Sequence, residues 1–282
     1  MISRNKGILS LEFLVPNVGL LIAALAVESV FATLVRPHAQ ELAITQKLLA
    51  TQNKNFKPER SIYVIIKDPE QESEIILWIW AGIIMTYKLV QVGRERALLQ
   101  QDFVKVQQGE RIIPEDALDR YKELKSAVER EPKWRERLLP ECLLAALHRL
   151  HATSSIQDAS AAIKERAELA ADTLDSSLSL IRYIAWAIPA IGFIGTVRGI
   201  GDALAQAEDA IKGDLSGVTD SLGLAFNSTL VALLLSMVLM FVMHMLQSRQ
   251  EAFIIEIQTY CRDKLINVMK VPAKEEVGEV LS

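Results

Sequence analysis

Residues 184–204 form an apolar segment that is long enough to cross a bilayer and that carries small residues along one side. These small residues recur at spacings of three and four, so they share one face of a helix: Pro189, Gly192, Thr196, Gly199 and Ala203. Lipid supplies no hydrophobic drive between helices, and small residues let helix backbones approach closely. The pattern therefore predicts a transmembrane helix that packs tightly against another helix.

A second segment, residues 221–247, repeats this pattern with Ser221, Ala225, Thr229, Ala232 and Ser236. At about 1.5 Å per residue, Thr196 and Thr229 each lie roughly 10 Å from the external end of their helices. We therefore expect the two small faces to meet with both hydroxyls at similar depth, and Asn227 and Ser228 add polar groups beside Thr229. The alternative is that the hydroxyls bond to carbonyls one turn earlier in their own helices.

The rest of the chain indicates an all-α membrane protein. Half of its 282 residues are hydrophobic, and they are concentrated in blocks. Four candidate spans result: residues 13–35, 75–92, 184–204 and 221–247. Three or four of these cross the membrane, depending on whether the first is a retained span, a surface helix or a signal peptide; a retained span fits its length best.

The distribution of Lys and Arg predicts the orientation of the spans. The loop 205–220 holds four acidic residues against one lysine and is expected outside, whereas the helical domain 93–183 holds fifteen basic residues and is expected in the cytoplasm. Residues 36–74 are then an external loop with six basic residues, and residues 248–282 are a cytoplasmic amphipathic helix and tail. The helical pattern of the cytoplasmic domain continues directly into the third span.

Three charged residues mark the external mouth of the hairpin formed by the last two spans: Arg198, Asp202 and Asp220. Arg198 is the only charge between Trp186 and Gly201, and a charge near the bilayer centre costs about 3 kcal/mol. Asp202, four residues on, is its predicted partner. The alternative is that Arg198 steers ions.

The third and fourth spans contain no Asp, Glu or Lys at the depth of the threonines, and a hydroxyl does not titrate near neutral pH. If ions cross here, we expect a partner to bring the carboxylate; Glu28 is the intramembrane acid predicted elsewhere in the chain. No phosphate loop, nucleophile elbow or metal-ligand spacing is present, so neither an enzyme nor a metal or other cofactor is expected. The net charge of −4 and the lack of a basic patch exclude nucleic acid as a partner.

Two sequence stretches resemble consecutive helices of the MotA/TolQ/ExbB family of ion-channel subunits in bacterial inner-membrane motors. They are AIPAIGFIGTVRGIGDAL at 187–204, with its Gly195–Thr196 pair, and LAFNSTLVALLLS at 224–236, with Thr229. The resemblance covers about residues 160–265. The ExbB and TolQ branch usually carries a Glu shortly before the Thr of the last helix, and Leu224 stands at about that position here.

The resemblance implies a multi-pass protein of the bacterial inner membrane that forms a homo-oligomeric ring, a pentamer, around a single-span partner. That partner resembles MotB, TolR or ExbD and carries an intramembrane Asp. The implied ion path is lined by Thr196, Thr229, Ser228 and Asn227. The implied packing faces and partner track consist of Pro189, Gly192, Gly195, Gly199, Ala225, Ala232 and Ser236.

Three questions stay open from the sequence. Protons are the first choice of ion, but hydroxyl oxygens could also coordinate sodium, a hard cation. The branch of the family and the cargo are not fixed by these residues. The rival function is a membrane scaffold that uses the same small faces for assembly and conducts nothing.

Overall fold

The computed structural model describes residues 11–52, 61–106 and 110–271, and within these ranges the chain is helical with no strand. The α-helices of this part are α1 (Leu11–Val30), α2 (Arg36–Gln52), α3 (Ile62–Ile65), α4 (Pro69–Arg96), α5 (Pro114–Arg130), α6 (Leu138–Thr153), α7 (Ile156–Ser176), α8 (Ser179–Ala205), α9 (Ala207–Ile211) and α10 (Ser216–Lys264). A π-helical turn, Phe31–Val35, joins α1 to α2, and 3₁₀ turns follow α4 and α10.

In the residues that the structure describes, four helical stretches are long and apolar enough to cross a membrane. They are Phe13–Gln46, Pro69–Gln100, Ile156–Ala205 and Ser216–Val268. The prediction of an all-α membrane protein is thus confirmed, with four candidate spans. The oligomeric ring and the side of the membrane on which each segment lies stay predictions.

The chain divides into two compact units. The first takes the residues up to Lys88 together with Leu178–Met245, and the second takes Leu89–Ser177 together with the residues from Leu246. The first therefore contains α1 to α3, α8 and most of the apolar part of α4 and α10.

The second unit has a continuous hydrophobic core built from α5, α6, α7 and the end of α10. Helix α6 supplies its largest buried side chains, including Leu139, Leu143 and Leu150, because apolar residues recur at three and four along it. Cys142 and Cys261 are free thiols buried in this core. The strand-like segment at Ile112 exchanges two backbone hydrogen bonds of 2.9 Å with the chain beyond α10, at Val268 and Lys270.

The first unit packs α1 against α4 by close contact and by polar bonds. The indole nitrogen of Trp80 donates to the carbonyl oxygen of Pro16 at 2.7 Å. Gly19 lets the helices approach, since a Cβ at this position would lie 3.1 Å from Ile83 Cγ2. Arg36 pairs with Glu28 at 2.8 Å and with Glu72 of α4 at 2.7 Å.

Helix α4 begins at Pro69, six residues before the predicted start of the second span at residue 75. Proline suits the first position of a helix, and Glu70 and Glu72 in the first turn face the positive end of the helix dipole. The helix thus takes in Glu70, Glu72 and Glu74 from the predicted external loop. The same predicted loop contains α2, which continues α1 through the π-helical turn.

The helix leading into the third span has a two-residue break at residues 177–178, within the helical stretch Ile156–Ala205 that the sequence pattern predicted as one run. Helix α7 ends at Ser176 and α8 begins at Ser179. The Ser177 hydroxyl donates to the Leu174 carbonyl oxygen at 2.6 Å. Serine side chains compete with the helical backbone bonds in this way, which accounts for the break.

The substitution Leu143→Ala tests the core of the second unit. Because Leu143 is fully buried, we expect this change to lower the free energy of unfolding by about 2–5 kcal/mol. Leu169→Ala is the matched control, since Leu169 of α7 is 60% exposed and its change should stay within about 0.5 kcal/mol. Thermal unfolding of the full chain in detergent measures both, and equal effects would contradict the described core.

Candidate functional site

Helices α8 and α10 meet through their small residues. Gly192, Gly195 and Gly199 of α8 are all buried, and a Cβ on any of them would overlap α10. The added atom would collide with Ala232 at Gly192 and with Ser228 at Gly195. At Gly199 it would lie 2.6 Å from the carbonyl oxygen of Ser221. Only glycine allows the backbones this close approach.

The opposing face of α10 is equally small. Ala225, Ala232 and Ser236 are buried, and the Ser236 hydroxyl donates to the carbonyl oxygen of Ala185 at 2.8 Å. Ala203 is buried near the C-terminal end of α8, and Pro189 is half-buried. The two faces therefore cover each other within one chain. The role of partner track, which the family resemblance implies for them, stays a prediction.

Thr196 and Thr229 contact each other across this interface through their hydroxyl groups. The Thr196 hydroxyl also lies 3.0 Å from the carbonyl oxygen of Ala225 and 3.2 Å from that of Gly192. The Thr229 hydroxyl lies 3.2 Å from the same Gly192 oxygen. The sequence thus correctly places the two hydroxyls at one level.

Each threonine hydroxyl has one hydrogen to donate, and the surrounding carbonyl oxygens and the other hydroxyl offer acceptors for both hydrogens. One consistent arrangement has Thr229 donating to Gly192 and Thr196 donating to Thr229. Thr196 is four residues after Gly192, so its bond to the earlier turn, the alternative considered from the sequence, is also present. Both hydroxyl groups therefore find hydrogen-bond acceptors within the chain, and either one can donate to the other without a change in side-chain position.

The other two residues of the predicted ion path differ from each other. Ser228 is fully buried, and its hydroxyl oxygen has no hydrogen-bond partner in the described ranges of the chain. Asn227 is half-buried and takes no part in the hydrogen bonds of the threonine pair. The structure therefore brings Ser228 to the contact and leaves Asn227 at its side.

Arg198 pairs with Glu70 of α4 at 2.7 Å and not with Asp202, the predicted partner. Asp202 and Asp220 are exposed. The prediction was wrong because α4 begins earlier than expected and brings its first-turn acids to α8. A carboxylate from a neighbouring helix therefore compensates the arginine.

Glu74 is a buried acid of the site that the sequence analysis missed. It is fully buried, and neither of its carboxyl oxygens has a hydrogen-bond partner among the described residues. Its Oε1 would lie 3.3 Å from a Cβ at Gly192, whose carbonyl oxygen is 3.2 Å from both threonine hydroxyls. The third and fourth spans carry no acid at this depth, as the sequence shows, but α4 brings one to Gly192, which the sequence analysis did not expect.

A sequence signal for Glu74 did exist. The stretch PEQESE places a proline at the first helical position and acids in the first turn, which is a helix start signal. Extending the second span upstream to Pro69 would have put Glu70 and Glu74 one turn apart on one face.

Two substitutions test the close contact of α8 and α10. We expect Gly192→Ala and Gly199→Ala to lower the thermal stability of the purified protein, because a methyl group has no room and forces the helices apart. Gly201→Ala in the same helix is the control, since a Cβ there meets nothing within 4 Å. Alanine at Gly201 should be neutral or stabilising by helix propensity. Equal melting temperatures for all three variants would contradict the contact.

Comparison with known proteins yields one family. Residues 135–259 match the model of the MotA/TolQ/ExbB proton channel family. This range contains the Thr196–Thr229 contact and both sequence stretches that carry the resemblance, which is thereby confirmed. A search of curated proteins and a search of solved structures each returned no match.

Proposed function

We propose that this chain is the proton-channel subunit of an inner-membrane motor that converts the ion gradient into mechanical work on a partner. The observation that carries the proposal is the Thr196–Thr229 pair, which joins two apolar helices inside the range matched by a proton channel family. A proton moving down the gradient supplies about 2.3 kcal/mol per 100 mV. The two hydroxyl groups can exchange their donor and acceptor roles as that proton moves.

The outer faces of α8 and α10 support assembly into a ring. Large apolar side chains are exposed on both helices, among them Trp186, Phe193, Val197, Phe226, Leu230, Met237 and Phe241. Because the small faces of α8 and α10 pack against each other, these large side chains are left exposed for contacts with further helices. Copies of the chain and lipid both suit such a surface, and the enclosed space would hold the single-span partner.

A non-conducting scaffold is the second candidate function, and one observation favours it. The threonine hydroxyls find acceptors among carbonyl oxygens of their own chain, as purely structural threonines of membrane helices do. On this alternative the pair only locks α8 to α10. The two functions differ in whether removing the hydroxyls changes ion flux or only stability.

The double variant Thr196→Val/Thr229→Val separates the two functions. Valine keeps the branched shape but removes the hydroxyl, so for a channel we expect proton flux to fall roughly fivefold to tenfold, as for an interaction worth about 1 kcal/mol. Thr86→Val is the control, because Thr86 of α4 is exposed and bonds only within its own helix. Flux is measured with a pH-sensitive dye inside vesicles. A double variant that conducts like the wild type would leave the threonines a structural role.

The need for a partner is tested by reconstitution. We expect vesicles holding this chain alone to be proton-tight and vesicles that also hold a single-span protein with an intramembrane Asp to conduct. The candidate for that protein is a reading frame beside this one that encodes such a span. Sustained gradient-driven current from the chain alone would contradict the partner requirement. No current under either condition would favour the scaffold.

A further inference from the structure

One face of α4 carries buried polar groups that the two threonines do not account for. Gln71, Glu74 and Trp78 follow one another at spacings of three and four, so they share this face. Gln71 and Glu74 are fully buried. Within the part of the chain that the structure describes, no hydrogen-bond partner is found for the carboxyl oxygens of Glu74, both amide atoms of Gln71 and the indole nitrogen of Trp78. Buried polar groups without partners are rare and call for a functional explanation.

This face lies against Gly192 of α8. A Cβ at Gly192 would lie 3.3 Å from Glu74 Oε1 and 3.2 Å from the Ser228 carbonyl oxygen. The Ser228 hydroxyl, which has no hydrogen-bond partner among the described residues, lies instead beside Gly195. The Glu74 carboxyl group is therefore next to the glycine whose carbonyl oxygen is 3.2 Å from the hydroxyls of Thr196 and Thr229.

The charges around Glu74 are paired among themselves. On α4, Glu70 is held by Arg198 of α8 at 2.7 Å. On the side of α1, Arg36 holds both Glu28 and Glu72. Helix α10 has no titratable side chain between Leu222 and Met243. Of the three acids at the start of α4, Glu74 is the one without a cation.

Burying an isolated carboxylate in an apolar site costs far more free energy than burying the neutral acid. Such a group therefore binds a proton unless a positive charge lies beside it. A metal cation would need a shell of oxygen ligands, whereas the Glu74 oxygens have no polar neighbour within bonding distance. The site therefore suits a proton.

We propose that Glu74 is a proton-binding group of the ion path, located beside Gly192, whose carbonyl oxygen contacts the hydroxyls of Thr196 and Thr229. The carboxylate forms an O–H bond with a proton supplied by water on one side. That bond breaks when the proton passes to water or to a carboxylate of the partner on the other side. This inference rests on the proposed channel function, but the protonation of Glu74 can be measured without any transport.

Infrared spectroscopy of the full chain in lipid tests the protonation. A neutral carboxyl group gives a carbonyl band that ionised carboxylates lack, and this band shifts in heavy water. At neutral pH we expect the wild type to show this band and Glu74→Gln to lose it. Glu74→Asp should keep an acid band at a shifted position. Glu28→Gln is the matched control, because Glu28 is paired with Arg36 and should contribute no acid band.

Proton flux tests the transport role in vesicles that hold the chain together with the single-span partner. We expect Glu74→Gln to reduce flux at least as strongly as removal of both threonine hydroxyls, and Glu74→Asp to restore part of it. Size-exclusion profiles and melting temperatures of both variants check folding. If the wild type and the Glu74→Gln variant conduct protons equally well, the inference about Glu74 is overturned, whereas the proposed channel function is not affected.

The infrared result separates the remaining outcomes. An acid band that persists unchanged in Glu74→Gln would overturn the inference whatever the flux. A band that disappears in a variant with normal flux would also overturn it, since Glu74 would then be a neutral structural acid. If the wild type itself fails to conduct with its partner, the proposed channel function fails, and a lost band would still identify Glu74 as the protonated group.

Discussion

The close approach of α8 and α10 is the constraint on which the rest of the first unit depends. In lipid no hydrophobic drive pushes helices together, so their attraction comes from contact and hydrogen bonds, which require short distances. Glycines on α8 and alanines and serines on α10 provide those distances. Because the backbones are this close, the Thr196 hydroxyl reaches a carbonyl oxygen of the opposite helix. Without the glycines the two hydroxyls would not touch.

Charge compensation is the second principle of this unit. Arg198 and Arg36 lie in or beside apolar segments, where an unpaired charge is costly, and each is paired with an acid from the start of α4. Helix α4 thus supplies counter-charges to two different neighbours within its first turns. A third acid on the same helix, Glu74, has no cation partner among the described residues and lies instead beside Gly192. The same short stretch of sequence therefore supplies two ion pairs and one unpaired buried acid.

Periodicity predicted the parts of the fold that depend on local pattern. The small faces of the last two spans and the shared level of Thr196 and Thr229 follow from spacings of three and four and the rise per residue. The partner of Arg198 could not be predicted from periodicity, because a salt bridge between residues 128 positions apart depends on which helices become neighbours. Glu74 was missed for a different reason: the second span was drawn by hydropathy, which excludes acids, although the start signal at Pro69 lay in the sequence.

The π-helical turn at Phe31–Val35 links backbone geometry to electrostatics. In it the amide of Arg36 donates to the carbonyl oxygen of Phe31, five residues back. Glu28 and Arg36 are eight residues apart, and in a regular α-helix they would point about 80° away from each other. The wider turn changes that angle, and the two side chains form an ion pair while Arg36 still reaches Glu72. The one extra residue in this helical turn thus sets the geometry of the ion pairs among Glu28, Arg36 and Glu72. A return of the turn to regular α-helical hydrogen bonds would separate Arg36 from Glu28 without unfolding the helix.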